Sequence, residues 1–252
     1  MQGEEANDRR VFRITGKDRT EFLQNLVTND LARLSDGLVY AALLTPQGKY
    51  LADFFLVAAG DAILLDVQAD LADSLIRRLS MYRLRSDVAI GPADLHVQRG
   101  LGAPPADALP DPRHPALGWR RYAEEPGTSP AIDWDAIRVE HLIPETGAEL
   151  QPEESYILEC GFERMGGVDF RKGCYVGQEV TARMKHKTEL RKGLVQVEVL
   201  GPASPGDDIL SDGRPVGRLH TRAGDRAIAY LRFNRADGVL TAGGAEVRLT
   251  PP

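Results

Sequence analysis

The chain is poor in cysteine. Cys160 and Cys174 are the only two among its 252 residues, and neither lies in a C-x-x-C pair or beside histidine at zinc-finger spacing. A disulfide framework is therefore excluded, and a structural zinc site is not expected. Long apolar runs are also missing. The best stretches, residues 54–59 and 62–65, are broken by Gly60, Asp61 and Asp66, far short of the ~18 residues a membrane-spanning helix needs. There is no surplus of positive charge: 31 basic residues stand against 37 acidic ones, a net charge of −6, so the chain as a whole is a poor ligand for polyanions. These absences argue against nucleic-acid and membrane partners. The first ten residues contain no apolar core and no small-residue cleavage site, and they carry acid, which predicts a cytoplasmic address. Internal repeats and low-complexity tracts are lacking as well.

What is present is uneven. Between Arg171 and Lys192 seven basic residues face only Glu179 and Glu189, a local excess of positive charge in an otherwise acidic chain. Hydrophobic periodicity predicts an α+β protein. Asp18, with Glu21 three residues on, reads as a helix start, and Phe22, Leu23, Leu26 and Val27 form the apolar face before the Thr28-Asn29-Asp30 stop. Residues 38–44, 50–57 and 62–68 read as three strands of a meander. Asp70 is placed to cap a helix through Tyr82, and a helix is expected over 133–142. The segment 101–115, with five prolines, is a loop. From Leu194 the pattern changes to short strands separated by Asp212-Gly213 and Gly243-Gly244, the signature of a small antiparallel barrel or sandwich.

The chemistry concentrates in 166–179. Gly166, Gly167, Gly173 and Gly177 preclude a stable helix there and imply a structured loop, with a helix expected from about Gln178 to Leu190. Cys174 sits just ahead of that helix's positive end, near Arg171 and Lys172, and both influences favour thiolate over thiol. Cys160, within the apolar run 156–160, reads as a packing residue.

Lys172-Gly-Cys-Tyr-Val-Gly-Gln-Glu179 resembles the signature octapeptide of the YgfZ family of folate-binding proteins, implicated in iron–sulfur enzyme maturation and related to the glycine cleavage T-protein, an aminomethyltransferase. Leu26-Val-Thr-Asn-Asp30, the Gly48-Lys49 hairpin leading to Asp53, Arg138-Val-Glu140 before Ile143-Pro144, and the β-rich C-terminus extend the resemblance across nearly the whole chain. The resemblance implies a three-domain cloverleaf of T-protein type, with a discontinuous folate-binding domain over 8–45 and 137–188, a second α+β domain over 46–136 and a C-terminal β-barrel over 189–252. It implies a monomeric, tetrahydrofolate-binding accessory factor for assembly, insertion or repair of iron–sulfur clusters, partnered by assembly proteins and client enzymes.

On that reading Cys174 is the working sulfur. Asn29, Asp53, Glu140, Lys172 and Tyr175 are the candidate folate contacts, with Glu140 reading the pterin edge. A glutamate paired with a neighbour on an exposed helix is the competing reading of Glu140. T-proteins carry adjacent acidic residues where this chain has Ala52-Asp53, and no cysteine at the position of Cys174. The resemblance therefore favours a maturation factor over a folate-dependent one-carbon transferase, which is the alternative. One cysteine cannot hold a four-iron cluster, which takes about four thiolates, so any cluster contact must be shared or transient. A third reading is a protein-interaction module using the basic 183–192 face.

Overall fold

The computed structural model describes residues 2–187 and 189–250. The chain folds as two compact units, residues 1–132 with 163–180, and residues 133–162 with 181–252.

The first unit contains β1 (Glu4–Glu5), β2 (Arg9–Thr15), α1 (Arg19–Gln24), β3 (Val39–Leu44), β4 (Tyr50–Ala59), β5 (Ala62–Gln68), α2 (Ala69–Tyr82), β6 (Ala89–Pro92), β7 (His96–Gly100), β8 (Leu109–Pro110) and β9 (Trp119–Ala123). The expected meander β3-β4-β5 is present. Long-range pairing adds β2 and β6 to give a five-stranded sheet ordered β3-β4-β5-β2-β6. One face of that sheet carries Phe54, Leu56, Leu65 and Ile14 into a core closed by Leu23, Val27, Leu75 and Leu79 from the helical segments. A second sheet, β1-β7-β9-β8, belongs to the same unit.

Between the two sheets the packing is ionic. Asp66 on β5 accepts from Arg9 Nε at 2.6 Å, Arg120 Nη1 at 3.0 Å and Tyr122 Oη at 3.0 Å. Arg120 also reaches Asp111 at 3.1 Å, and Asp111 takes two further bonds from Arg113 at 3.0 and 2.8 Å. Burial works against the Asp111 carboxylate, but Arg113 and Arg120 hold its pKa down at about 2. Phe55 lies beneath three of these guanidinium groups, with Arg120 4.0 Å, Arg113 4.9 Å and Arg9 5.5 Å from its ring centre.

Two expected helix starts differ in detail. Asp18 makes no cap bond to α1, because its Oδ2 accepts the backbone N–H of Asp87 at 2.8 Å. At α2 the cap is the side chain of Gln68, which accepts from Asp70 N at 2.8 Å.

The second unit begins with α3 (Trp134–Glu140). It stops before Pro144, because Leu142 turns into the left-handed region at φ 53° and Ile143 N donates back to Arg138 O at 2.8 Å. Helix α4 (Gln178–Lys187) is shorter than the expected 178–190. The remaining strands, β10 (Lys192–Leu200), β11 (Asp208–Ser211), β12 (Arg214–Ala223), β13 (Arg226–Arg232), β14 (Leu240–Ala242) and β15 (Ala245–Leu249), close a six-stranded antiparallel barrel in the order β10-β13-β12-β11-β14-β15. Both expected hairpin turns, 212–213 and 243–244, are used. Val197, Ile209, Leu219, Leu231 and Val247 fill its interior. Among the described residues no helix is long and apolar enough to cross a membrane.

Candidate functional site

The glycine-rich loop is part of the first unit, and the pentapeptide 26–30, which follows α1 because the helix stops at Gln24 before the expected Val27, fastens it there. Thr28 Oγ1 donates to Gly167 O at 2.7 Å and accepts from Ala42 N at 2.8 Å. Asn29 is buried. Its Nδ2 donates to Tyr40 O at 2.8 Å and to Gly166 O at 2.6 Å, while its Oδ1 accepts from Asp30 N at 2.9 Å. The amide thus joins β3 to the loop, with both of its donor hydrogens engaged.

Lys172 serves the same end. Its Nζ donates to Gln24 O at 2.5 Å, the last carbonyl of α1, where a cation is favoured by the helix dipole, and to Val27 O at 2.6 Å three residues beyond. The ammonium also lies 5.2 Å from the centre of the Tyr175 ring. Burial pushes its pKa down to about 8, against the pull of Asp30 and Asp169. The charge expected to act on Cys174 or on a folate tail is therefore engaged with α1.

On the other side of Cys174, Gly177 at φ +84° lies against the Gly48 hairpin. A Cβ on it would come within 2.6 Å of Thr45 O, and one on Gly48 within 2.9 Å of Val180 Cβ. Two backbones meet here because neither carries a side chain, which is the physical content of the paired Gly48 and Gly177 motifs. Tyr175 is buried and Val176 packs on the first unit's core. Cys174 stands between these anchors, exposed. Cys160 is its opposite: buried in the second unit, with burial and the neighbouring Glu159 pushing its thiol up to about 12.

Asp53 on β4 is 5% exposed, and its two oxygens accept from Tyr40 Oη at 3.0 Å and Tyr50 Oη at 2.6 Å. Burial and this carboxylate raise the Tyr40 phenol well above its ordinary range. The hydroxyl groups hold Asp53 inside the sheet rather than on a solvent face. Asn29 and Asp53 are thereby linked through Tyr40, which gives its carbonyl to one and its hydroxyl to the other.

Glu140 lies in the second unit, exposed at the end of α3 and paired with Arg226 on β13. The buried member of that motif is Arg138. It binds Glu149 at 3.0 Å, Glu145 at 2.8 Å, Asp135 at 2.8 Å and Thr221 Oγ1 at 3.2 Å, and Glu149 takes a second bond from Thr221 Oγ1 at 2.5 Å. Arg138 therefore ties α3, the 143–150 turn and β12 together. Residue-by-residue reading missed Tyr40, Tyr50 and Glu149. Register carries the signal for the first: Ala42 pairs with Asp53, so Tyr40, two residues back, lies diagonal to it on the same sheet face.

No group of three or more His, Cys, Asp or Glu side chains among the described residues is placed to hold a metal ion. A cluster meeting Cys174 would need its other ligands from elsewhere.

The fold and the site together define the class: a protein of T-protein-like architecture that carries one exposed cysteine, Cys174, on a buttressed loop. A solved glycine cleavage system aminomethyltransferase T from Bartonella henselae superposes with a TM-score of 0.77 over 98% of this chain and 84% of that one, at 13% identity. Residues 191–252 match the family model of the CAF17 C-terminal beta-barrel domain. The mitochondrial iron-sulfur cluster assembly factor IBA57 of Mus musculus is 30% identical over 96% of this chain and 80% of its own length, and that of Homo sapiens 30% identical over 96% and 81%. The chain belongs to the IBA57 family of iron–sulfur cluster assembly factors.

Membership corrects one expectation. The mouse and human relatives are mitochondrial proteins, which overturns the cytoplasmic address. That address rested on the first ten residues, and the chemistry of a folded domain does not encode its compartment.

Proposed function

We propose that this iron–sulfur assembly factor works through Cys174, which gives up its thiol proton and takes one coordination position on a cluster whose remaining ligands come from a partner assembly protein. The observation that carries this reading is the contrast between an exposed Cys174, held at the tip of a loop anchored by Thr28, Asn29, Lys172 and Gly177, and a buried, high-pKa Cys160. The Lys172–Glu179 octapeptide supports kinship with the YgfZ proteins within this wider family.

Tetrahydrofolate is the second ligand of this proposal, and its support is the aminomethyltransferase-type fold. The polar side chains expected to contact it do not fit that role as they stand. Asn29, Asp53 and Lys172 have their polar groups engaged inside the first unit, and Glu140 pairs with Arg226 at the surface. No chemical step is assigned to folate. The same geometry weakens the one-carbon transferase alternative, whose polar machinery would be Asp53 and Glu140.

Complementation tests the reading. In cells lacking the protein, Cys160→Ala should restore iron–sulfur enzyme activities and Cys174→Ala should not. Full rescue by Cys174→Ala would overturn it. Folate binding is tested separately, by equilibrium dialysis of tetrahydrofolate against the intact chain, and a lack of retention would remove that ligand.

A further inference from the structure

In the second unit, a cleft of about 360 Å3 opens beside the start of the barrel. Four cations line it, Arg191, Lys192, Arg232 and Arg235, over an apolar floor that includes Met184 and Leu190. The β10–β13 ladder brings two of them together at an electrostatic cost. Lys192 on β10 and Arg232 on β13 lie directly opposite one another in the ladder, and like charges facing across an antiparallel pair are unfavourable. Arg191 is drawn in alongside by its carbonyl, which accepts from Phe233 N at 2.8 Å.

The acids nearby do not neutralise the group. Glu159 takes the hydroxyl of Tyr230 at 2.6 Å and lies 3.6 Å from Lys192, so it is engaged with one cation and a phenol. Glu189 is exposed at the rim. Among the described residues Arg191, Arg232 and Arg235 form no ion pair, although the chain as a whole holds more acid than base and its buried arginines are matched with carboxylates. Unneutralised guanidinium groups around one cleft are a preformed receptor for carboxylates, which they bind with two parallel N–H donors.

We infer that this cleft docks an acidic segment of a partner polypeptide, whose carboxylates pair with Arg191, Arg232 and Arg235 while an apolar side chain between them rests on Met184 and Leu190. A peptide suits the site better than a nucleic acid. The cations are few, two carboxylates share the lining, and the floor offers thioether and aliphatic contact rather than an aromatic stacking surface. The arginines are exposed and the cleft is open, which fits an extended chain lying across it. The proposal does not involve Cys174 or a cluster, so its failure leaves the cluster reading untouched.

The test is fluorescence anisotropy of the intact protein with a short fluorescein-labelled peptide of alternating glutamate and leucine, titrated at low salt. Binding should weaken about tenfold or more in R191A/R232A, as expected for losing charge-assisted contacts. It should fall with added salt and be unchanged in R10A, which removes an exposed arginine from the other unit. R235A alone should show a smaller loss in the same direction. Circular dichroism melting verifies that each variant is folded. An R191A/R232A variant that binds as the wild type does, a wild type that does not bind the peptide, or tighter binding of an oligouridylate than of the peptide would each overturn the assignment.

Discussion

The two cysteines occupy opposite kinds of environment, and the difference shows how one fold makes one thiol structural and the other available. Cys160 lies within a run of apolar residues beside Glu159, itself fixed by Tyr230. Each of those neighbours disfavours a negative sulfur, which is why its thiol is pushed up to about 12. Cys174 is exposed, and the loop that carries it is held by contacts that belong to its neighbours. Buttressing around an exposed group costs the fold little, since the bonds satisfy groups that need partners anyway: the last carbonyl of α1, the buried Asn29 amide and the Thr28 hydroxyl.

The sharpest way to break this comparison is alkylation. With its pKa raised from 9.0 to about 12, Cys160 should carry about a thousandfold less thiolate at neutral pH than an unperturbed thiol. Iodoacetamide at pH 7 should therefore label Cys174 in the folded protein and leave Cys160 intact until denaturant is added, as read by peptide mass spectrometry. Labelling of both at similar rates would erase the distinction.

The next effect concerns the buttress. Gly177→Ala places a methyl group 2.6 Å from Thr45 O at a positive φ, which should cost about 2 kcal/mol or more of stability in denaturant melts. Gly206→Ala, at φ +98° with nothing near its Cβ, is the control for φ strain alone and should cost less. Equal losses would mean that the close approach of the loop to the Gly48 hairpin is not what Gly177 provides.

Lys172→Met removes two hydrogen bonds to carbonyls and also a charge that burial disfavours, so its clearest effect is on the pH profile. Folding lowers this lysine from 10.5 to about 8. Below pH 8 both states hold the proton. Between about 8 and 10.5 the unfolded chain holds a proton that the native lysine has released, so this residue makes stability rise with pH there. Urea melts across that window should show a flatter profile for Lys172→Met than for wild type. The smallest expected change is Cys174→Ala, within about 0.5 kcal/mol of wild type because the side chain is exposed.

Local pattern made much of this fold legible. Period-two runs with turn residues between them defined β3 to β5 and most of the barrel, and the glycine spacing of 166–177 defined a loop. What escaped has a common cause, dependence on contacts distant in sequence. The placement of β2 between β5 and β6, the two-residue strands β1 and β8, and the Asp66 and Asp111 ion network all join segments tens of residues apart. Side-chain roles suffered most. Lys172 reads as a free cation beside a cysteine until its partners at Gln24 and Val27 are known, and Arg138 gives no hint that Glu149 lies 3.0 Å away. Within the candidate site, the position of Cys174 was readable and the reasons for its neighbours were not.

Whether Cys174 is the thiol that meets the cluster is tested most directly by spectroscopy of cluster capture. Wild type, Cys160→Ala and Cys174→Ala are each mixed anaerobically with a cluster-loaded scaffold protein and re-isolated, and the sulfur-to-iron charge-transfer absorption retained by each is measured. Retention by wild type and Cys160→Ala with loss in Cys174→Ala is the predicted result. Retention by Cys174→Ala at the wild-type level would contradict the account.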